Sequence, residues 1–204
     1  QNVIQIGEDI GQGDVLIPEG RLLRPQDIGG LVALGITRVA VVRRPIVAII
    51  ATGDEVVPPE VNAQPGQIRD INSYTIAAQI IRAGGVPEIM GIVPDDLDAL
   101  RNASQEGLRR SDMLVMSAGS SVSARDMTAR IIEELGYPGV LLHGVATRPG
   151  KPTIVGAVNG KPVLGLPGNP VSAMVQFDMF GIPAIHRMLG LAEMSRRGQF
   201  TAYL

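Results

Sequence analysis

Residues 46–51, Ile-Val-Ala-Ile-Ile-Ala, form a run with no polar side chain and with β-branched residues at four positions. A strand that faces water on one side alternates apolar and polar residues, so a run without alternation is covered on both faces. Helical crossovers supply that cover, which points to an open, mainly parallel sheet between two helical layers. The chain beyond position 46 repeats the theme. A helix is expected from about Ser73 to Ala83, stopped by Gly84-Gly85, and a strand over 86–93. Residues 94–110 place their acids first and their arginines last, as a helix dipole favours. A strand follows at 112–117, then a Gly/Ser loop and a helix from about Arg125 to Leu135. Strands are expected within 139–145 and 152–166, the second stretch folded at Asn159-Gly160 as a hairpin. A last helical stretch begins at Pro170, is interrupted near Gly181 and Pro183, and fades around Leu191. The expected fold class is α/β, a three-layer sandwich with ligand sites at the carboxyl ends of its strands.

Residues 1–44 read differently. Their short apolar steps between polar turns suggest small strands over 7–23 and another over 37–44. Between these lies a short helix, with Pro25 in its first turn and Gly35 at its end. The expected division is a β-rich or α+β flanking segment at 1–44, the α/β domain at 45–191, and the start of a further region at 192–204.

Composition narrows the chemistry. With 45% apolar and 19% charged residues in 204, the chain can bury a substantial core. A net charge of −2, with three Tyr, three Phe and no Trp, offers neither the basic field nor the stacking platforms of a nucleic-acid binder. The absence of cysteine removes thiolate metal sites, iron–sulfur clusters and cysteine nucleophiles. His143 and His186 lack the spacing of a zinc pair, so any metal should be a hard cation such as Mg²⁺ on carboxylates. Apolar runs are strand-sized, which argues against a membrane span, and no signal peptide is expected. The cytoplasm is the expected compartment, and the missing initiator Met suggests a piece of a longer protein.

Four strand ends carry unusual loops. Thr52-Gly53-Asp54-Glu55 sets two carboxylates on a tight turn, which would suit a ligand or simply a solvated bend. Ser117 to Ser121, including Gly119, Ser120 and Ser121, offers amides and hydroxyls to a phosphate, or an ordinary small-residue turn. Arg148-Pro149-Gly150-Lys151-Pro152 is no P-loop, since Pro replaces the Ser or Thr, yet its two fixed cations could clamp an oxyanion. In Gly165-Leu166-Pro167-Gly168-Asn169-Pro170-Val171-Ser172, Asn169 fits an N-cap and Pro170 the first helical position. Ser172 would then stand in the first turn, near an anion. Asp126 could hold Mg²⁺ or complement a helix dipole. Of Asp70, Asn72 and Ser73, one should cap a helix and the others are free for a ligand. Asp95 and Asp96 suit capping better than binding, and Tyr74 and His143 suit packing better than reaction.

The stretches "ATGDEV", "PGQIRDINSY", "GIVPDD", "SAGSSVSARD", "RPGKP" and "GLPGNPVSA", in this order, closely resemble the molybdopterin molybdenumtransferase family, to which gephyrin's C-terminal domain belongs. The resemblance is strong over about 45–190 and implies a molybdopterin-binding domain. It also implies a Mg²⁺-dependent transfer of molybdate to adenylylated molybdopterin with release of AMP, in a homodimer. By motif, Glu55, Asp95 and Asp126 match acidic positions around Mg²⁺ and the nucleotide, and Ser117–Ser121 the pterin and phosphate cradle. Arg148, Lys151 and Ser172 match the molybdate-binding group. Glu55, Asp126 and Lys151 are thus the expected catalytic residues. Thr52, Gly53, Asp54, Asp70, Asn72, Gly168 and Asn169 join the expected substrate-binding set. Family loops commonly read Ser-Gly-Gly-Val-Ser-Val-Gly-Asp where this chain has Ala118, Ser120, Ser123 and Ala124, and Lys where it has Arg148. The loss of a carboxylate at Ala124 leaves open a second implication, a domain that binds the cofactor without turning it over.

Overall fold

The structure is a computed structural model that describes residues 5, 7–117 and 122–192, with the backbone alone for 122–125. The chain divides into two compact units, one of Gln1–Arg43 with Leu189–Leu204 and one of Arg44–Met188.

In the first unit, α1 (Pro25–Ala33) starts with Pro at its first turn, and Gly35 follows its end at φ +73°. The Arg24 N–H donates to the Asp27 carboxylate at 2.9 Å, closing the first turn. That hydrogen bond, and then one from the Arg24 guanidinium, hold the Asp27 carboxyl below the usual carboxylate range. The strands expected over 7–23 and 37–44 do not form among the described residues. Their apolar side chains, Val15, Leu22, Val39, Val41 and Val42, are exposed rather than lined up on a buried face. Apolar alternation makes a strand only where a neighbouring ladder takes up its amides, and no such ladder is described in this unit.

The second unit is the expected sandwich. Its sheet comprises β1 (Ile46–Thr52), β4 (Val86–Val93), β5 (Met113–Ser117), β6 (Pro138–His143), β7 (Ile154–Val158) and β8 (Lys161–Leu166). The order is β4-β1-β5-β8-β7-β6, parallel from β4 to β8, with β7 antiparallel to both of its neighbours. A separate two-stranded parallel ribbon pairs β2 (Val56–Val57) with β3 (Ile68–Arg69). Helices α3 (Leu97–Arg110) and α4 (Val122–Leu135) pack together on one side of the sheet. On the other side lie α2 (Asn72–Arg82) and a continuous run of α5 (Pro170–Gln176), a π-helical turn (Phe177–Gly181) and α6 (Ile182–Met188). The interruption expected near Gly181 and Pro183 is therefore a widened turn inside one helical run. The aromatic ring of fully buried Phe177 lies where a Cβ at Gly181 would have to go, with a closest approach of 2.3 Å.

Alternation along the central strands feeds both faces. Ala48, Ile50, Leu114, Met116 and Val163 join Leu100, Leu108, Ile131 and Ile132 in one core cluster. Small residues let the helices come close. A Cβ on Gly107 of α3 would stand 3.1 Å from Leu114, and one on Gly165 of β8 would stand 2.8 Å from Thr128 of α4.

Register decides where the site lies. Thr52 pairs with Val93, Ala51 with Ser117, and Ser117 with Leu166, so the carboxyl ends of β4, β1, β5 and β8 lie side by side. Because β7 runs antiparallel, its first residue Ile154 pairs with Gly165 near the end of β8. The 144–153 loop therefore joins the same edge. From β1 the chain moves outward to β4 and then returns across β1 to β5. The loops after β1 and β5 thus part at a switch point, where such sheets open a crevice.

Candidate functional site

Among the described residues, this edge carries at least two clefts. One, of ≈ 700 Å³, is lined by Ala51, Thr52, Glu55, Asp70, Asn72, Ser117, Gly168 and Asn169, with part of the β2–β3 ribbon. The other, of ≈ 620 Å³, is lined by Asp126, His143, Gly144, Val145, Ala146, Lys151 and Pro152.

In the first cleft, Gly53 turns at φ +145° with its amide held weakly by Val93 O at 3.4 Å. A Cβ there would stand 2.9 Å from both the Glu55 carboxylate and Val56. Buried Thr52 donates its hydroxyl to Asp95 Oδ1 at 2.7 Å, and the Asp95 N–H donates to Asp54 Oδ1 at 3.1 Å. This chain ties the end of β1 to the loop after β4 and uses one oxygen of each carboxylate. Asp96, not Asp95, caps α3, accepting from the Ala99 N–H at 2.8 Å. The capping expected of both residues holds for Asp96, whereas Asp95 faces the neighbouring strand end.

Asp70 is buried and accepts from the Ser73 N–H at 3.0 Å, so it serves the start of α2. Asn72 is left for a different task. Its amide Nδ2 donates to Ser117 Oγ at 2.7 Å and to the Gly168 carbonyl at 2.9 Å. One side chain from α2 thus binds the end of β5 and the β8–α5 loop. Its Oδ1 is buried without a hydrogen-bond partner among the described residues. Asn169 caps α5 as expected, and its Oδ1 accepts from both the N–H and the hydroxyl of Ser172, at 3.2 and 3.4 Å. Both polar groups of Ser172 are therefore turned toward the cap.

In the second cleft, Asp126 is exposed and stands a full turn inside α4, because that helix begins at Val122 rather than near Arg125. Arg148 and Lys151 are exposed on a loop closed at its base by Val145 N to Lys151 O at 2.8 Å and Gly144 N to Thr153 O at 2.9 Å. His143 lines this cleft, and Tyr74 is half exposed, so the packing expected of both is not found. The sequence reading also passed over Gln176, fully buried at the end of α5, whose amide reaches this loop. Its only signal was a polar residue on an otherwise small and apolar helix face. Gly119, Ser120 and Ser121 lie outside the described residues.

The structure thus gathers Thr52, Glu55, Asp70, Asn72, Ser117, Gly168 and Asn169 on one cleft, and Asp126 with Lys151 on another. Among the described residues, no three of His, Asp and Glu group closely enough to hold a metal. None of the described helices is long and apolar enough to cross a membrane.

Residues 48–187 match the family described as "Probable molybdopterin binding domain". The chain belongs to this family. The chain is 38% identical over 188 residues to a molybdopterin molybdenumtransferase of Bacillus subtilis, covering 92% of this chain and 44% of the relative. It is 33% identical over 202 residues to a molybdopterin molybdenumtransferase of Haemophilus influenzae, covering 99% of this chain and 50% of that one. A molybdopterin biosynthesis protein of Pyrococcus horikoshii superposes with a TM-score of 0.81 at 41% identity, over 92% of this chain and 46% of its own. A second protein so described from that organism gives 0.77 at 31% identity, over 90% and 44%. The chain thus spans about half the length of the curated relatives it matches.

Proposed function

We propose that this chain is the substrate-binding core of a molybdopterin molybdenumtransferase, acting in molybdenum cofactor biosynthesis on adenylylated molybdopterin and molybdate. The observation that carries the reading is the cleft at the switch point, where Asn72 ties the ends of three elements around a space sized for a small organic ligand. Thr52, Gly53, Asp54, Asp70, Asn72, Ser117, Gly168 and Asn169 hold the pterin and its phosphate in this reading, joined by Gly119, Ser120 and Ser121. Arg148 and Lys151 clamp the oxyanion: guanidinium and ammonium meet a tetrahedral anion with charge and with several donors. Ser172 matches this group by motif, while its N–H and hydroxyl both go to the Asn169 cap. The relatives' names support this assignment of substrate class.

The donor chemistry fits Mg²⁺. Asp54 and Asp95 each keep one carboxylate oxygen outside the Thr52–Asp95–Asp54 chain, and Glu55 lines the cleft beside them. A small octahedral cation takes one or two carboxylates and completes its shell with water and phosphate oxygens, so a cluster of three is not required. Glu55 and Asp95 would hold it; Asp126, the third acid expected there, lines the other cleft instead. When bound, the cation would neutralise phosphate charge and polarise the bond that releases AMP. The chain's own residues orient the pterin, exclude water through the buried Thr52, Asn72 and Ser117, and fix the anion.

Ala124, in place of a carboxylate, favours a second reading in which the pterin is bound without turnover. AMP release by the full-length parent, given adenylylated molybdopterin, Mg²⁺ and molybdate, separates the two. Release that depends on molybdate supports the transferase, and tight pterin binding with no release supports the binding module. In the transferase, Lys151→Ala should raise the molybdate concentration for half-maximal release by roughly tenfold or more, as expected for a lost charged hydrogen bond. An unchanged molybdate dependence would remove Lys151 from the clamp.

A further inference from the structure

We propose that Gln176 is the positioning residue of the Arg148–Lys151 loop; the inference rests on the oxyanion-clamp reading for its functional consequence and on geometry for the rest. Arg148 and Lys151 have long side chains and stand exposed, so only their backbone can set where the two charges lie. The base of the loop is closed by its own backbone. Thr153 adds its N–H and hydroxyl to the Gly150 carbonyl at 3.1 and 2.7 Å. The tip, Thr147 to Pro149, is tied down differently. Pro149 has no N–H to give, and the Thr147 N–H turns back to Val145 O at 2.8 Å. What joins the tip to the helical layer is the Gln176 amide, which donates to Thr147 Oγ1 at 2.9 Å and to the Pro149 carbonyl at 2.8 Å. The two acceptors flank Arg148.

Three features mark this contact as more than incidental packing. Gln176 is 0% exposed, and a primary amide withdrawn from water needs partners for its donors. Both donors are spent on the loop, whereas its Oε1 is buried with no partner among the described residues, so the donor end holds the pose. Gly150 takes φ +109° with the amide against it, and a Cβ there would stand 2.2 Å from Gln176 Nε2. The glycine between Arg148 and Lys151 is therefore the residue that lets the loop seat on this side chain. Turning the amide over would set its oxygen against the Pro149 carbonyl, which cannot donate. The loop has one seated position, and Gln176 specifies it.

The test uses the full-length parent with two variants that reach the contact from opposite sides. Gln176→Met fills the volume without donors, and Thr147→Val removes one acceptor and leaves α5 untouched. Amide hydrogen exchange over 147–151 is measured together with the affinities for molybdate and for molybdopterin. In both variants the loop amides are expected to exchange roughly tenfold faster while β8 keeps its protection, as for the loss of one or two neutral hydrogen bonds. Molybdate affinity should fall roughly tenfold in Gln176→Met and pterin affinity should stay within about twofold. In an Arg148→Ala/Lys151→Ala background, Gln176→Met should weaken molybdate no further, because its effect passes through those side chains. Unchanged exchange over 147–151 would overturn the proposal, as would equal losses for the two ligands or full additivity in the clamp-less background. If the loop loosens but Arg148→Ala/Lys151→Ala leaves molybdate affinity intact, the positioning role stands and the clamp reading falls.

Discussion

Asn72 concentrates the logic of the site in one side chain. It is 8% exposed and spends both amide protons on groups from other elements, Ser117 Oγ and the Gly168 carbonyl. Asn72→Ala removes both donors at once and leaves the partly buried Gly168 carbonyl short of a partner. The expected cost is about 1–3 kcal/mol, read as a lower urea midpoint, with weaker pterin binding. Asn72→Asp should cost at least as much at neutral pH, because a carboxylate oxygen would face the Gly168 carbonyl. A variant that kept both stability and pterin affinity would show that the cross-loop link is incidental. Spacing disclosed this residue only as one of three polar candidates before a helix, and the family resemblance added it to the expected substrate-binding set. Asp70 accepts from the first turn of α2 and Asp96 caps α3, which freed Asn72 and Asp95 to reach across loops. Side-chain spacing cannot make that choice, since neighbouring residues at a helix start have equal claim to its orphan amides. Partners 45 and 96 residues away make it instead.

At the scale of elements, the alternation of buried strands with amphipathic helices was readable from 46 to 188, because periodicity and Gly or Pro stops are local signals. The cations that close the helix ends were not. Lys161 reaches from the start of β8 to the Leu108 and Ser111 carbonyls at the end of α3, at 2.5 and 2.8 Å. Arg44 likewise donates to the Gly84 and Gly85 carbonyls beyond α2, at 3.0 and 2.7 Å. Each finishes a helix from a distant strand end, where positive charge also suits the dipole. The N-terminal strands failed for the opposite reason, since a local apolar pattern was present without a ladder to complete it. Close helix–sheet approach was equally hidden, and it gives a test. Gly165→Ala would drive a methyl to 2.8 Å from the Thr128 methyl, so it should destabilise by about 1–3 kcal/mol. Thr128→Ser keeps the hydroxyl and removes that methyl, so the double variant should recover part of the loss in a denaturation cycle. Simple additivity would show that the strain lies in the strand, not between α4 and the sheet.

For the whole molecule, the decisive fact is that one edge of the sheet collects the chemistry and the other collects the helix-closing cations. Strand order and register bring this about, and neither is written in local pattern. The sequence placed the loops at strand ends, and the pairing of Thr52 with Val93, Ala51 with Ser117 and Ile154 with Gly165 made those ends neighbours. The split of the expected acidic set between two clefts was likewise beyond the sequence, because it depends on α4 beginning at Val122. This polarity predicts how ligand protection spreads. Bound at 100 times its Kd, a ligand specific for the folded state adds about 2.7 kcal/mol to stability. That increment slows global opening everywhere, so the informative amides are those that exchange by local opening. With molybdopterin, extra protection should appear at 51–56, 70–73 and 168–172, around the cleft of ≈ 700 Å³. Amides at 84–86, 111–113 and 158–161 belong to the opposite edge, where Ile46 pairs with Val86 and Val158 with Lys161. Those that exchange locally should stay unchanged. Protection concentrated on the 84–86 and 158–161 turns instead would place the ligand at the wrong end of the sheet and end the switch-point reading. Molybdate added next should extend protection to 144–153 alone, because that loop shares the binding edge but lines a separate cleft.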